Sequence, residues 1–239
     1  MKQPVWLFDL DNTLHDASNA SFPQMHAAIG DYVVGQLGVT VDEANALRER
    51  YWRRYGATLL GLVRHHDVRP AHFLAETHRL PALEQRLRMS LHDRAAIARL
   101  PGRRFILTNA PRDYALRVLG VLGLTRLFEA VITIEDMTMF GSLRPKPDAR
   151  MLRRVAVRLK VPTSRCVLVE DTLANLKAAR SVGMRGVWMK RYLGGRFRGH
   201  LAGGVARTSP APLAGPASCP KPTYLHARIG ALRTLIRRR

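Results

Sequence analysis

Two aspartates lie two positions apart directly after a short apolar run, Val5-Trp6-Leu7-Phe8, near the beginning of the chain. Side chains alternate along an extended backbone, so Asp9 and Asp11 reach the same side where the run ends. Like charges this close repel each other, and a cation between them or a retained proton is expected. One carboxylate can bind Mg²⁺ and attack phosphorus while the other exchanges a proton with the leaving oxygen. A polar turn is the alternative interpretation, and it is favoured for this motif taken alone.

Two further polar groups with phosphate-binding chemistry follow later in the chain. Thr108 and Asn109 end a second apolar run, where a hydroxyl and an amide can hold phosphate oxygens or simply begin a helix. Lys146 stands between Pro145 and Pro147, which restrict the backbone on both sides of it. An ammonium held in this way suits a point-charge contact with phosphate, although a solvated loop lysine is the alternative.

Adjacent acids close a third apolar run. Glu170 and Asp171 follow residues 166–169 and offer the oxygen ligands that Mg²⁺ prefers, although acids are also common where a helix begins. Each of the four motifs is weak by itself. Three of them directly follow a predicted strand, and this combination favours one functional site over four unrelated turns.

The pattern of apolar runs and helical periodicity predicts the elements that position these residues. Continuous apolar runs predict buried strands at Val5–Phe8, Arg104–Leu107, Ala130–Ile134, Cys166–Val169 and Gly186–Met189. Helical periodicity predicts helices at Arg112–Leu122, Asp148–Leu159 and Leu173–Val182. This alternation indicates an α/β domain with a doubly wound parallel sheet, in which ligands bind at the carboxyl ends of the strands.

The gap between the first two strands is too long for one crossover helix. Residues 16–99 are predicted to form an inserted helical module that can act as a lid on the core, which comprises 1–15 and 100–190. Its helices are predicted at Phe22–Leu37, Val41–Tyr55, Leu59–His65 and Ala71–Thr77. Thr40, with Glu43 three residues later, is the expected N-cap of the second of these, and Gly38 is expected to end the first.

The composition changes near the end of the chain. The 39 Lys and Arg exceed the 18 Asp and Glu, giving a formal net charge of +21, and residues 191–239 contain ten basic residues and no acid. Residues 191–222 are predicted to be a basic linker rich in glycine and proline. Residues 223–239 are predicted to be a basic amphipathic helix, because apolar residues recur there at helical spacing.

The remaining composition points to a cytoplasmic protein. Two cysteines, Cys166 and Cys219, are too few for a disulfide framework or a metal-ligand cluster. The first apolar run is too short for a signal peptide, and no apolar stretch is long enough to span a membrane. A cytoplasmic enzyme or binding protein is therefore predicted, and the sequence does not predict its oligomeric state.

The four motifs together resemble a known family. Asp9-Leu10-Asp11-Asn12-Thr13, Thr108-Asn109, Lys146 and Glu170-Asp171 are similar, in this order, to the four signature motifs of the haloacid dehalogenase-like hydrolases. The resemblance covers about residues 4–190. It implies a Rossmann-like core with a helical cap, dependence on Mg²⁺ and an aspartyl-phosphate intermediate.

The resemblance also implies a role for each matching residue. Asp9 is the implied nucleophile and Asp11 the implied general acid and base. Thr108, Asn109 and Lys146 are the implied phosphate-binding residues.

The implied Mg²⁺ ligands are Asp9, the backbone carbonyl of Asp11, and Asp171, with Glu170 assisting. The dehalogenases of the family lack a second acid at the position of Asp11. This acid therefore indicates a phosphatase.

The helical insertion resembles the pyrimidine 5′-nucleotidase branch of the family, in residues 51–62 and in His65-His66. This resemblance implies nucleoside monophosphates such as UMP or CMP as substrates. Tyr51 and Tyr55 could stack against a base, and burial in the core of the insertion is an equally favoured alternative for each. Surface or phosphate-steering roles are favoured for the two histidines over metal binding.

The predicted function is an Mg²⁺-dependent phosphomonoesterase that acts on a small phosphorylated metabolite, foremost a pyrimidine nucleoside monophosphate. Phosphoglycolate and sugar phosphates are alternative substrates on the same fold. A non-catalytic nucleic-acid-binding or regulatory protein is an alternative of another class, suggested by the charge of +21 but disfavoured because all four motifs are present.

Overall fold

A computed structural model of the chain describes residues 3–193 and 222–236. The described residues form two compact units. The larger unit comprises 3–17, 84–193 and 222–236, and the smaller one comprises 18–83.

A six-stranded parallel sheet forms the centre of the larger unit. The order of its strands is β3-β2-β1-β6-β7-β8, so the chain proceeds outward from β1 in both directions. The crevice at such a switch point is where doubly wound folds bind ligands. The strands are β1 (Val5–Phe8), β2 (Arg103–Leu107), β3 (Ala130–Ile132), β6 (Cys166–Glu170), β7 (Arg185–Met189) and β8 (Ala227–Ile229); a separate antiparallel hairpin comprises β4 (Thr138–Met139) and β5 (Ser142–Leu143).

The central strands are buried on both faces, as their continuous apolar sequences predict. Leu7 of β1 is paired in register with Phe105 of β2 and with Leu168 of β6, and all three side chains lie in the core. Helices cover the sheet, among them α8 (Arg112–Val121), α9 (Ala149–Arg158) and α10 (Leu173–Ser181). The predicted α/β fold with a doubly wound parallel sheet is therefore confirmed.

The strand predicted at Ala130–Ile134 is shorter in the structure. β3 ends at Ile132, because the carboxylate of Asp136 accepts hydrogen bonds from the backbone N–H and the hydroxyl of Thr133 and pulls the chain into a 3-10 turn. The β4–β5 hairpin was not predicted, since strands of two residues are too short to show a period. Its turn uses Phe140 and Gly141, which both have a positive φ.

The helix predicted for residues 223–239 is wrong for the described part of that segment, 223–236. Residues Ala227–Ile229 form β8, which pairs in parallel with β7, and Leu232–Leu235 form a 3-10 helix. In β8 the buried Ala227 and Ile229 alternate with the exposed Arg228, as in a strand. The backbone of β8 forms its hydrogen bonds with the open edge of β7. Residues 237–239 and most of the predicted linker, 194–221, lie outside the described residues.

The smaller unit is built from helices. The described residues contain ten α-helices, and α2 to α5 lie wholly within this unit. The seven helices not yet given are α1 (Ala17–Ala20), α2 (Phe22–Leu37), α3 (Val41–Tyr55), α4 (Thr58–His66), α5 (Pro70–Thr77), α6 (Leu83–Arg86) and α7 (Leu91–Arg99). Thr40 caps α3 with the predicted capping box to Glu43, and Gly38 ends α2 in the left-handed conformation. The predicted insertion of 16–99 extends further than this unit, because α7 belongs to the larger one. Its function as a cap stays a prediction.

Among the described residues, no helix combines the length and the apolar character that crossing a membrane requires.

Candidate active site

Asp9 follows β1 at the switch point of the sheet. Its backbone N–H donates to the carbonyl of Val169 at 3.0 Å, which extends the ladder with β6 beyond the last residue of β1. This bond fixes the backbone of Asp9, and the side chain is 8% exposed. The carboxylate is therefore held at the carboxyl edge of the sheet in a nearly dry environment.

Lys146 joins two of the predicted acidic motifs. Its Nζ donates to Oδ1 of Asp9 at 2.7 Å and to Oε2 of Glu170 at 2.8 Å, and all three side chains are buried. The other carboxylate oxygen of Glu170 accepts from the backbone N–H of Thr172 at 3.1 Å. The ends of β1 and β6 and the loop before α9 thus meet at this ammonium group.

Asn109 positions the backbone of Lys146. Its Nδ2 donates to the carbonyl of Lys146, and its Oδ1 accepts from the backbone N–H of Lys146, each at 2.9 Å. This two-point contact connects the end of β2 to the loop before α9 and fixes the direction in which the lysine side chain leaves the backbone. A phosphate contact by Asn109 stays a prediction.

Thr108 ends β2 and is buried. Its backbone N–H donates to the carbonyl of Ile132, and its Oγ1 accepts from the backbone N–H of Ala110, both at 3.0 Å. These contacts hold the hydroxyl in place at the carboxyl end of β2. Its predicted role in binding phosphate stays a prediction.

Asp9, Glu170 and Asp171 form the candidate metal site of the described residues. One carboxylate oxygen from each lies within 4.8 Å of the others. The three carboxylates and the single ammonium of Lys146 leave a formal charge of −2 when all are ionised. A divalent cation with a preference for oxygen ligands, such as Mg²⁺, fits both this charge and these donors.

The pKa values of Asp9, Lys146 and Asp171 show that the cluster favours the binding of positive charge. Burial, together with the nearby Glu170, raises the pKa of Asp9 to about 7 and that of Asp171 to about 9. Burial alone would lower the pKa of Lys146, but the carboxylates of Asp9 and Glu170 outweigh it and raise that pKa. Two of the acids therefore retain protons readily unless a cation replaces them.

Asp11 is held by two aromatic side chains that the sequence analysis missed. The hydroxyl of Tyr114 donates to Oδ1 of Asp11 at 2.6 Å, and Nε2 of His15 lies 2.9 Å from the same oxygen. Asn12 adopts the left-handed conformation and the N–H of Leu14 donates to the carbonyl of Leu10, so the loop turns back on itself and returns His15 to Asp11. The four-residue spacing of the two was the only sequence signal, and Tyr114 gave none because it is 103 positions away.

Tyr51 and Tyr55, the predicted base-stacking residues, lie in the smaller unit. Tyr51 is buried, its ring packs against Gly61, and its hydroxyl lies 2.7 Å from Nε2 of His66. The hydroxyl of Tyr55 lies 2.6 Å from Nε2 of His65. The burial of Tyr51 favours the packing role that the sequence left open. A substrate contact by either tyrosine stays a prediction.

Comparison with known proteins adds sequence and structural relatives. The chain is 24% identical over 193 residues to phosphate metabolism protein 8 of Saccharomyces cerevisiae, which covers 75% of the chain and 59% of the yeast protein. It is 33% identical over 79 residues to validoxylamine A 7′-phosphate phosphatase of Streptomyces hygroscopicus subsp. limoneus, covering 33% of the chain and 35% of that enzyme. The chain thus spans less than two thirds of the length of either relative.

A solved structure shows the fold of the chain, and a family model shows its family. The crystal structure of a phosphatase from Thermococcus onnurineus superposes with a TM-score of 0.59 at 20% identity, covering 99% of this chain and 97% of that one, which shows a shared fold. The model of the haloacid dehalogenase-like hydrolases matches residues 5–183, the span that contains all four motifs. This chain belongs to the haloacid dehalogenase-like hydrolases.

Proposed function

We propose that the protein is an Mg²⁺-dependent phosphomonoesterase that works through an aspartyl-phosphate intermediate. The observation that carries this proposal is the cluster of the buried Asp9, Lys146 and Glu170 with the partly buried Asp171 at the switch point of the sheet, with Asp11 two residues from Asp9. Buried charges are costly unless they are paired, so a cluster with an excess of negative charge fits a site that binds a cation.

The proposed reaction has two steps. A carboxylate oxygen of Asp9 attacks phosphorus in line, the bond from phosphorus to the leaving oxygen breaks, and Asp11 donates a proton to that oxygen. Water then attacks phosphorus in the aspartyl phosphate, Asp11 accepts a proton from the water, and Asp9 is released with inorganic phosphate. Lys146 offsets the negative charge of the phosphoryl oxygens.

Bound at Asp9, Glu170 and Asp171, Mg²⁺ would supply positive charge for the phosphoryl oxygens. Without a cation, the pKa of about 7 leaves Asp9 partly protonated near neutral pH. A protonated carboxyl is a poor nucleophile, so the cluster of acids is expected to need its cation for chemistry as well as for binding.

Asp11 favours phosphatase over dehalogenase chemistry within the family. A phosphate ester leaves as an alkoxide, which needs a proton, whereas a halide ion leaves without one. Asp11 lies at the required spacing from Asp9 and is only partly exposed. The Streptomyces relative that is named as a phosphatase supports this choice.

The proposed substrate is a small phosphorylated metabolite, foremost a pyrimidine nucleoside monophosphate in the cytoplasm. Residues 51–62 and His65-His66 support this choice through their resemblance to the pyrimidine 5′-nucleotidases. Phosphoglycolate and sugar phosphates remain alternative substrates. The charge of +21 suits any of these anions.

A panel of phosphomonoesters tests the proposal. UMP, CMP, AMP, phosphoglycolate and p-nitrophenyl phosphate are assayed for phosphate release with Mg²⁺ and with EDTA, and Asp9→Asn serves as the inactive control. Release that needs Mg²⁺, is greatest with UMP or CMP, and is absent in Asp9→Asn is expected. A wild-type protein that releases no phosphate from any ester but binds duplex DNA in a salt-sensitive way would overturn it in favour of the non-catalytic alternative.

A further inference from the structure

We propose that Tyr114 and His15 are positioning residues for Asp11, which together hold its Oδ1 so that Oδ2 is the oxygen that exchanges the proton with the leaving group. This inference rests on the proposed function, because it concerns the general acid of that reaction. It is carried by the convergence of two buried donors on one carboxylate oxygen.

The two donors reach Oδ1 from different elements. Tyr114 extends from α8, is 1% exposed, and lies 2.6 Å from Oδ1. His15 belongs to the loop after β1, is fully buried, and lies 2.9 Å from Oδ1. A carboxylate oxygen can only accept, so the Tyr114 hydroxyl and His15 Nε2 both donate to it.

The side chain of His15 makes no other hydrogen bond among the described residues. Its Nδ1 is buried and has no partner there. Burying a polar ring with one unsatisfied nitrogen is unfavourable, and a leucine would fill such a place at lower cost. The contact with Asp11 is therefore the physical reason that the structure offers for a histidine at this position.

The occupation of Oδ1 has a chemical consequence. An oxygen that already accepts two hydrogen bonds has little room for a proton of its own, so the acid form of Asp11 carries its proton on Oδ2. The two contacts also prevent the carboxyl group from rotating. Fixing the direction of a proton donor lowers the entropic cost of reaching the transition state.

The test compares leaving groups in Tyr114→Phe, which removes only the hydroxyl. A nitrophenolate ion leaves without a proton, whereas an alkoxide needs one, and kcat/KM reports the steps up to phosphoryl transfer. We expect kcat/KM to fall by about 10- to 100-fold for the alkyl phosphate that the wild type hydrolyses best. For p-nitrophenyl phosphate it should stay within about 3-fold of wild type.

A second pair of variants tests His15. His15→Gln retains a side-chain N–H donor and should keep most of the activity on the alkyl phosphate, whereas His15→Leu should show the same leaving-group dependence as Tyr114→Phe. Tyr32→Phe is the matched control, because Tyr32 is a buried tyrosine of the smaller unit whose hydroxyl bonds to His72 at 2.9 Å. It should leave kcat/KM unchanged for both substrates.

The outcomes separate this inference from the proposed function. A wild type that hydrolyses no phosphomonoester contradicts the proposed function. An active wild type in which Tyr114→Phe and His15→Leu lower kcat/KM equally for both substrates, or for neither, overturns the positioning role. In an Asp11→Asn background, Tyr114→Phe should add no further loss, because the group that it positions is already absent.

Discussion

At the scale of single residues, the site is governed by an imbalance of buried charge. Lys146 satisfies one oxygen of Asp9 and one of Glu170, while Asp171 has no ammonium of its own among the described contacts. Burial and the neighbouring carboxylates therefore raise the pKa of Asp171 to about 9. Protons and a divalent cation compete for the same oxygens, and this competition can be measured without any assay of activity.

The thermal stabilisation of the protein by Mg²⁺ should depend on pH. The pKa values of Asp9 and Asp171 in the folded protein, about 7 and about 9, exceed their ordinary value of 3.8, so the metal-free fold loses stability as pH rises from about 4 through these values. Mg²⁺ must displace those protons, and its binding becomes more favourable as pH rises. The increase in Tm on adding Mg²⁺ should be larger at about pH 8.5 than at about pH 5.5.

Asp171→Asn is the control for this measurement, since it removes one of the three candidate ligands. The variant should show a smaller increase in Tm with Mg²⁺ at the higher pH. An increase that is the same at both pH values, or that survives the substitution unchanged, would contradict the assignment of the metal site.

At the scale of elements, the C-terminal segment belongs to the sheet. β8 pairs with β7, and the buried Asp93 of α7 accepts a hydrogen bond from the backbone N–H of Arg233 at 2.9 Å and pairs with the side chain of Arg191. Leu225, Ile229 and Leu232 are buried. Residues 222–236 are therefore part of the larger unit, although they lie far beyond the matched span of the family.

Asp93→Ala should destabilise the protein, because it removes the partner of Arg191 and leaves the N–H of Arg233 unpaired. The expected loss is about 1.5–3 kcal/mol in the free energy of unfolding. Glu49→Ala, which breaks an exposed ion pair with Arg53, should cost less than about 0.5 kcal/mol. Denaturant unfolding measures both, and equal effects would show that Asp93 does not anchor the segment.

At the scale of the whole molecule, the formal charge of +21 is the most unusual property. A surface with this excess of arginine attracts anions of every kind, including phosphomonoesters and nucleic acids. The acids around Lys146 form a largely buried cluster with an excess of negative charge, so the chemistry of the site and the charge of the surface are separate properties of the chain.

Salt should therefore weaken the capture of substrate more than its conversion. Raising NaCl from about 0.05 M to about 0.5 M shortens the screening length from about 14 Å to about 4 Å. We expect kcat/KM for the best phosphomonoester to fall at least about 3-fold while kcat changes little. A kcat/KM that does not change over this range would show that the surface charge plays no part in substrate binding.

The sequence by itself determined the class of fold and the family. Buried strands of a parallel sheet are continuous apolar runs. The five strands predicted from such runs are all present in the sheet. Acids and polar residues at the ends of those runs must meet at one edge of the sheet, so the order of residues along the chain is enough to group Asp9, Thr108, Glu170 and Asp171. Lys146 follows no such run, and only the family resemblance placed it with them.

Only the tertiary structure decided how these residues are held. The contacts of Lys146 with Asn109, and of Asp11 with Tyr114, join residues 37 and 103 positions apart. The local pattern of apolar residues does not predict such a contact, because the contact depends on which helix packs over which strand. β8 was missed for the same reason: a short segment with apolar residues fits a helix or a strand, and the open edge of β7 decides between them.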